Sequence, residues 1–327
     1  MSEVSDRRCL WCSAATDAPA PLPVREMMFG TRAPHLVAHC GSCGSTLLLD
    51  PPADLSSAYP SDYYSLGTGG HFEAPDNAKR RLMRAVSSLL LRLPARVADP
   101  LLERASFDYV PFRWFAGRGV TTSSSILDVG SGDGFLLKRL ALMGFRRLLG
   151  VDPHLKAERA GTPELRRAEL GETGGTFDVI MLHHVLEHLP DPAGTLRLAG
   201  ERLAPRGTIV ARVPLADSWA ARRYGADWIA LDAPRHLAVP TEEGFRRCAE
   251  RAGLRVDRAF RDSDAIQFWG SEQYVLDIPL SDPRSLMKGE RPSPFDERLQ
   301  RAWRARARAL NRAGEGDSGC FLLSRPD

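Results

Sequence analysis

Hydrophobic positions in this chain follow two regimes. From Ile126 onward, short apolar runs alternate with stretches of helical period. The runs at 126–129, 147–151, 177–182 and 208–213 read as strands, and 135–142 and 193–203 place apolar residues at helical spacing. Strands separated by helices at this interval predict a parallel sheet with helices on both faces. A helix over 242–253 and a strand over 254–256 continue the pattern, and Phe321-Leu322-Leu323 reads as a last edge strand. Before residue 120 the pattern is different. Short β-like runs and prolines fill the first fifty residues or so, and a tyrosine-rich stretch at 58–64 with glycines over 67–70 reads as a linker or lid. Leu82, Val86, Leu89 and Leu90 then recur at helical spacing. The expected organisation is a small unit over 1–52, a linker and helical cap over 53–120, and an α/β domain over 121–327 with a helical and strand extension at its end.

Composition narrows the class. With 43% hydrophobic residues a substantial core can form. No run of about 18 uncharged apolar residues appears, so a membrane span is not expected. The acidic N-terminus with no apolar stretch after it does not read as a signal peptide, and a cytoplasmic protein is expected. A net charge of +3 implies no electrostatic design for nucleic acid. A tail helix over 295–310 puts Leu299, Trp303, Ala307 and Leu310 on one face, which reads as an apolar stripe under a solvated arginine face.

Four of the six cysteines form two Cys-x-x-Cys pairs, Cys9/Cys12 and Cys40/Cys43, with 27 residues between them. In a cytosolic chain that pattern favours metal over cystine. Each pair brings two thiolates to one ion, which suits tetrahedral Zn²⁺. A closed four-sulfur site leaves no open position, so the zinc is expected to be structural. Cys248 and Cys320 are expected in the core.

The densest motif is Leu127-Asp128-Val129-Gly130-Ser131-Gly132-Asp133-Gly134-Phe135. A strand runs into a glycine-rich turn and then a helix, so backbone can approach a ligand where a side chain would block it. A second strand ends in Val151-Asp152, 24 residues beyond Asp128, and an acid there can accept both hydroxyls of a ribose. A nicotinamide-binding domain shares these two features, but the Gly-x-Gly-x-x-Gly spacing is absent. Asp128 before the first glycine suits an ammonium better than a pyrophosphate.

The segments 126–135, 151–152 and 177–192 together resemble the motifs of class I S-adenosylmethionine (SAM)-dependent methyltransferases, over about 120–260. The resemblance implies a Rossmann-like seven-stranded sheet carrying an N-terminal zinc ribbon of the kind found in bacterial small-molecule and natural-product methyltransferases. It also implies that Asp128, Gly130 and Gly132 hold the methionine end of SAM, that Asp152 holds the ribose, and that His183 lies beside the cofactor. Glu169 stands where the family usually places an acid.

A second constellation follows the 177–182 strand. His184, Glu187 and His188 fall at i, i+3 and i+4, which puts them on one face if the segment is helical. The only later histidine is His236. The set is similar to the divalent-metal site of small-RNA 2′-O-methyltransferases and ubiquinone-pathway O-methyltransferases, with His184 in place of a glutamate. A second divalent metal, a general base drawn from His188, His236 or His184, and a structural role all stay open. The function implied is methyl transfer from SAM to oxygen or nitrogen of a small metabolite, a saccharide or natural-product scaffold. The alternatives are RNA or protein methylation with the ribbon as recognition module, or a non-catalytic zinc-dependent scaffold. The acceptor atom and the oligomeric state are not encoded in any motif.

Overall fold

A computed structural model describes residues 8–15, 21–52, 54, 78–94, 96–97 and 110–326. The stretches at 58–64 and 67–70 read above as linker or lid lie outside the described residues.

The larger sheet has seven strands in the order β10-β11-β8-β7-β4-β5-β6. Its centre is β4 (Ser125–Val129), flanked by β5 (Arg147–Val151) and β7 (Phe177–His183), with β6 (Glu164–Arg166) at one edge. These strands pair in parallel with one another, as β7 does with β8 (Leu203–Pro214). The far side is β10 (Arg255–Arg261) and β11 (Ser318–Ser324), and β11 runs antiparallel to both its neighbours. This is the expected α/β class and its Rossmann-like methyltransferase sheet. One reading changes: β11 is not an edge strand but lies between β10 and β8. Six of its seven residues are buried, so it needs cover on both faces, which an edge position with one unpaired side does not favour.

Side-chain alternation divides the core in two. Leu127, Val129, Ile180, Leu182, Ile209, Ala211 and Phe321 face one cluster, while Ile126, Val179, Met181, Val210, Cys320 and Leu322 face the other. The period of two along each strand therefore puts Asp128, His183 and Arg212 on the side of Ile126, Val179 and Val210. Against that side pack α1 (Ala78–Arg92), α2 (Val110–Phe115) and α3 (Phe135–Leu142), the first two being the predicted helices of the 77–118 region. Against the opposite side lie α4 (Pro192–Glu201) and α6 (Glu242–Arg251). Cys248 and Cys320 are both buried. Between β8 and α6 runs α5 (Trp219–Tyr224), while α7 (Ile266–Val275) and α8 (Glu297–Arg312) follow β10. The aromatic stretch at 268–274 lies within α7, where Phe268 is buried and stacked with Trp303 of α8.

The N-terminal strands β1 (Leu22–Arg25), β2 (Pro34–His39) and β3 (Thr46–Leu48) form a second, antiparallel sheet. Its fourth strand is β9 (Ala238–Val239), which comes from nearly two hundred residues further along. Trp11 is completely buried against Phe245 of α6, so the cysteine-bearing segment shares the main core. Among the described residues, no helix is long and apolar enough to cross a membrane.

Candidate active site

The turn after β4 is built by glycines in left-handed backbone. Gly130 has φ 68° and Gly132 φ 51°, a region that side-chain-bearing residues rarely adopt. A Cβ on Gly130 would lie 2.6 Å from Val185 Cγ2, so the turn is also closed to bulk. The amides of Gly130 and Ser131 donate to the Val151 carbonyl, tying the turn to the end of β5. Asp152 stands there, accepting the Gly132 amide at 3.0 Å and the His154 amide at 2.8 Å. Each carboxylate oxygen keeps a further lone pair for an incoming hydroxyl. Asp128 is buried. Desolvation, with the repulsion of Asp152 added, pushes its carboxyl up to about 8, so it is mostly protonated at pH 7 until a cation arrives.

Two polar groups near this turn have no hydrogen-bond partner among the described residues: the Ser131 hydroxyl and both ring nitrogens of His183. The His183 ring packs tilted against Trp114 of α2, centroids 4.4 Å apart, and Trp114 also lies under the Arg212 guanidinium, which forks onto Asp262 at 2.7 and 2.9 Å. Burial, with Arg212 and His184 adding to it, holds His183 well below its ordinary range, so the ring is neutral. Glu169 does not join this group as a buried acid. It is exposed, at the head of a short 3-10 turn, with its amide donating to Glu172.

Beyond β7 the chain departs from the expected helix. His184 takes a left-handed φ of 53°, and only Leu186–His188 form a 3-10 turn. The turn stops because Leu189 precedes Pro190, whose ring disfavours helical backbone before it, and Leu189 is extended. The i, i+3, i+4 face therefore does not exist as such, yet the turn still gathers side chains. Ligand atoms of Glu187, His188 and His236 lie within 4.8 Å of one another. His184 is outside that group; its Nδ1 instead hydrogen-bonds Glu187 Oε1 at 3.1 Å.

The tautomers follow from the partners. His188 Nδ1 is 3.0 Å from the Arg235 carbonyl and His236 Nδ1 is 2.8 Å from the Ala230 carbonyl. A carbonyl only accepts, so both rings carry a proton on Nδ1, and in the neutral form each presents an Nε2 lone pair. His236 Nε2 lies 4.0 Å from Glu187 Oε1, and the two rings meet edge-on at 4.6 Å. Glu187 is completely buried, and its Oε2 has no hydrogen-bond partner among the described residues. Burial works against its charge, but the hydrogen bond from His184 and the neighbouring imidazoles pull the carboxyl down to about 2. Burial, then His236, push His188 down to about 4. At pH 7 an ionised carboxylate is thus enclosed beside a neutral imidazole, an arrangement that a bound cation would satisfy.

The cysteines form a compact group, all four sulfurs within 4.8 Å of one another. Cys9 and Cys43 sulfurs are 3.7 Å apart and Cys12 and Cys40 sulfurs 3.6 Å, too far for disulfides. A tetrahedron with Zn–S bonds of about 2.3 Å has edges of about 3.8 Å, so the spacing fits one zinc. With thiols alone the set is frustrated: the Cys9 contact draws Cys43 down to about 4 and drives Cys9 up.

Sequence reasoning missed the groups that support His236. Arg235 and Asp232 precede it in the chain, and their partner Glu26 sits in the ribbon with no motif to mark it.

Known proteins resemble this chain. A ubiquinone biosynthesis O-methyltransferase of Paramagnetospirillum magneticum is 35% identical over 147 residues, 41% of this chain and 58% of that one. The protein of the same name from Azorhizobium caulinodans is 34% identical over 124 residues, 34% of this chain and 49% of its own. The chain thus spans about half the length of the curated relatives it matches. Among solved structures, the 1,6-didemethyltoxoflavin-N1-methyltransferase of Burkholderia thailandensis is similar at 15% identity and a TM-score of 0.42, over 90% of this chain and 96% of that one. A family profile described as a methyltransferase domain matches residues 77–259, more than half of the chain. With that match spanning the glycine turn, Asp152 and the β7 motif, the chain belongs to the methyltransferase-domain family, of the class I SAM-dependent type.

Proposed function

We propose that this protein transfers the methyl group of SAM to a hydroxyl oxygen of a small molecule. The observation that carries the reading is the pocket of Glu187, His188 and His236 at the carboxyl end of the sheet, beside the glycine turn, with two Nε2 lone pairs and a buried carboxylate converging. The name shared by the relatives, an O-methyltransferase, supports oxygen as acceptor. When bound, SAM supplies a sulfonium-activated methyl group. Asp128 would take its ammonium, the open backbone at Gly130 and Gly132 its methionine portion, and Asp152 its ribose hydroxyls, with His183 beside it. Glu169, being exposed, has the weakest claim to a cofactor contact.

On the acceptor side, Glu187 with Nε2 of His188 and His236 would hold a divalent cation, and a mixed nitrogen and oxygen set suits Zn²⁺, Fe²⁺ or Mn²⁺. When bound there, a cation would lower the pKa of an acceptor hydroxyl. His184, itself exposed, orients Glu187 through its hydrogen bond to Oε1. The carbonyls of Arg235 and Ala230 hold both imidazoles in the tautomer a ligand needs. In this reading the four cysteines hold a structural zinc.

The test uses methyl-labelled SAM with a panel of phenols, catechols and sugars. Label on a hydroxyl-bearing small molecule, lost with EDTA and restored by Mn²⁺ or Fe²⁺, is the expected result. Transfer indifferent to EDTA would assign the histidines to a base role. Label confined to RNA or protein would overturn the substrate class.

A further inference from the structure

The ribbon and the histidine pocket are joined by more than chain connectivity. Leu237, next to His236, donates its amide to the Glu187 carbonyl at 2.8 Å and accepts the Leu48 amide of β3 at 2.9 Å. The following residues are β9, paired to β3, and the Trp11 indole beside Cys12 donates to the Ala238 carbonyl. A continuous ladder therefore runs from the cysteine group to the pocket.

Beside that ladder lies a buried ion network. Arg235 is only 1% exposed. Its guanidinium reaches Asp232 through Nε at 3.0 Å and Nη2 at 2.6 Å, and Glu26 of the ribbon through Nη2 at 2.9 Å. Glu26 is itself buried, and its two oxygens accept the amides of Met28, Phe29 and Thr31 and the Thr31 hydroxyl. The far end of the network touches the pocket twice. The Arg235 carbonyl is what His188 Nδ1–H donates to, and Asp232 Oδ2 lies 3.9 Å from His236 Nε2. Asp232 holds a left-handed turn (φ 36°) whose carbonyl accepts the amides of Arg235 and His236. Freed from Arg235, the Asp232 carboxylate would be the nearest rival for the Nε2 of His236.

We infer that Glu26 and Arg235 are positioning residues: the ribbon sets the geometry of the pocket through them, and is thereby part of the acceptor site rather than a separate recognition module. The inference rests on the pocket reading proposed above. Glu26 pins the guanidinium, the guanidinium pins Asp232 away from His236, and the Arg235 main chain fixes the ring of His188. Groups that orient a metal ligand act this way in general, and losing them weakens metal binding by about 10- to 100-fold.

The experiment takes the full zinc-loaded chain, labelled with ¹⁵N-histidine, and compares it with Glu26→Gln. Three quantities are read: the imidazole ¹⁵N signals of His188 and His236, Mn²⁺ binding by electron paramagnetic resonance, and SAM affinity by calorimetry. The expected result is a changed tautomer signature at His188 and His236 and Mn²⁺ affinity reduced at least about tenfold, with zinc content retained and SAM affinity within about twofold. Glu26→Asp, which keeps the charge, should restore part of the loss. If Glu26→Gln does not fold, Arg235→Lys keeps the cation, removes the fork and is expected to act in the same direction. Histidine signals and Mn²⁺ affinity unchanged from the parent would overturn the inference, as would equal losses of zinc and SAM affinity. A parent that binds no Mn²⁺, while Glu26→Gln still shifts the histidine signals, would remove the metal reading and leave the positioning role standing.

Discussion

The glycine turn draws its parts from seven consecutive residues, Asp128 to Gly134, and one acid at the end of the next strand. The histidine pocket draws on a 3-10 turn after β7, on a loop some fifty residues later, and on a ribbon residue near the start of the chain. The first is local backbone geometry that glycine alone permits. The second is a set of side chains aimed by long-range hydrogen bonds. A local device tolerates change elsewhere in the molecule, while an assembled one fails when any of its supports moves. Substitutions in the two regions should therefore separate cofactor binding from acceptor chemistry.

The largest separation is expected from His236→Ala. Removing one of the two nitrogens that would hold the cation should lower methyl transfer by at least about 10²-fold, through lost cation binding. SAM affinity measured by calorimetry should stay near that of the parent. A parallel loss of SAM binding would show that the two regions are one unit.

The ribbon gives the next largest effect. Cys40→Ser/Cys43→Ser should abolish zinc, measured by metal analysis, and lower the melting temperature of the whole chain, because β3 and Trp11 are shared with the main core. Melting of the ribbon alone, with the rest unchanged, would break the coupling between the regions.

Asp152→Ala acts on the other side of the comparison. Loss of a charged acceptor should weaken SAM binding by about 1.5–3 kcal/mol while leaving Mn²⁺ binding in the pocket intact. Unchanged affinity would refute the ribose role.

The smallest effect sharpens the electrostatics of the turn. Asp128, raised to about 8, is mostly protonated in the free protein at pH 7, and an ammonium placed against it favours the carboxylate. SAM bound as its ammonium should then release about one proton from Asp128 at pH 7, and fewer as the pH rises. Calorimetry in two buffers of different ionisation enthalpy measures this directly. The sign for stability is the reverse of an ordinary paired carboxylate. Here the folded state holds the proton more tightly, so this group's contribution falls as pH rises from about 4 to about 8.

How much of this was legible depended on range. Residues 126–135 carry apolar alternation, glycines and a helical period within one short window, and the strand, turn and helix form there as read. The cysteine pairs were legible because each holds its own spacing, and tetrahedral chemistry demands little else. The face drawn through His184, Glu187 and His188 was read on the assumption of helix. Pro190, one residue after Leu189, holds Leu189 extended and ends the turn before a helical face can form. Glu26 carried no local mark at all. Its meaning lies in Arg235, 209 positions away.

By itself, then, the chain's pattern determined the α/β class, the turn that SAM would enter and the four-sulfur group, because each rests on periodicity or spacing within a few residues. Only the tertiary structure decided that β11 lies inside the sheet, that β9 completes the ribbon, and that a buried arginine joins ribbon to pocket. Those outcomes depend on which distant surfaces must cover one another and which buried charges must be paired, and no local window contains both partners.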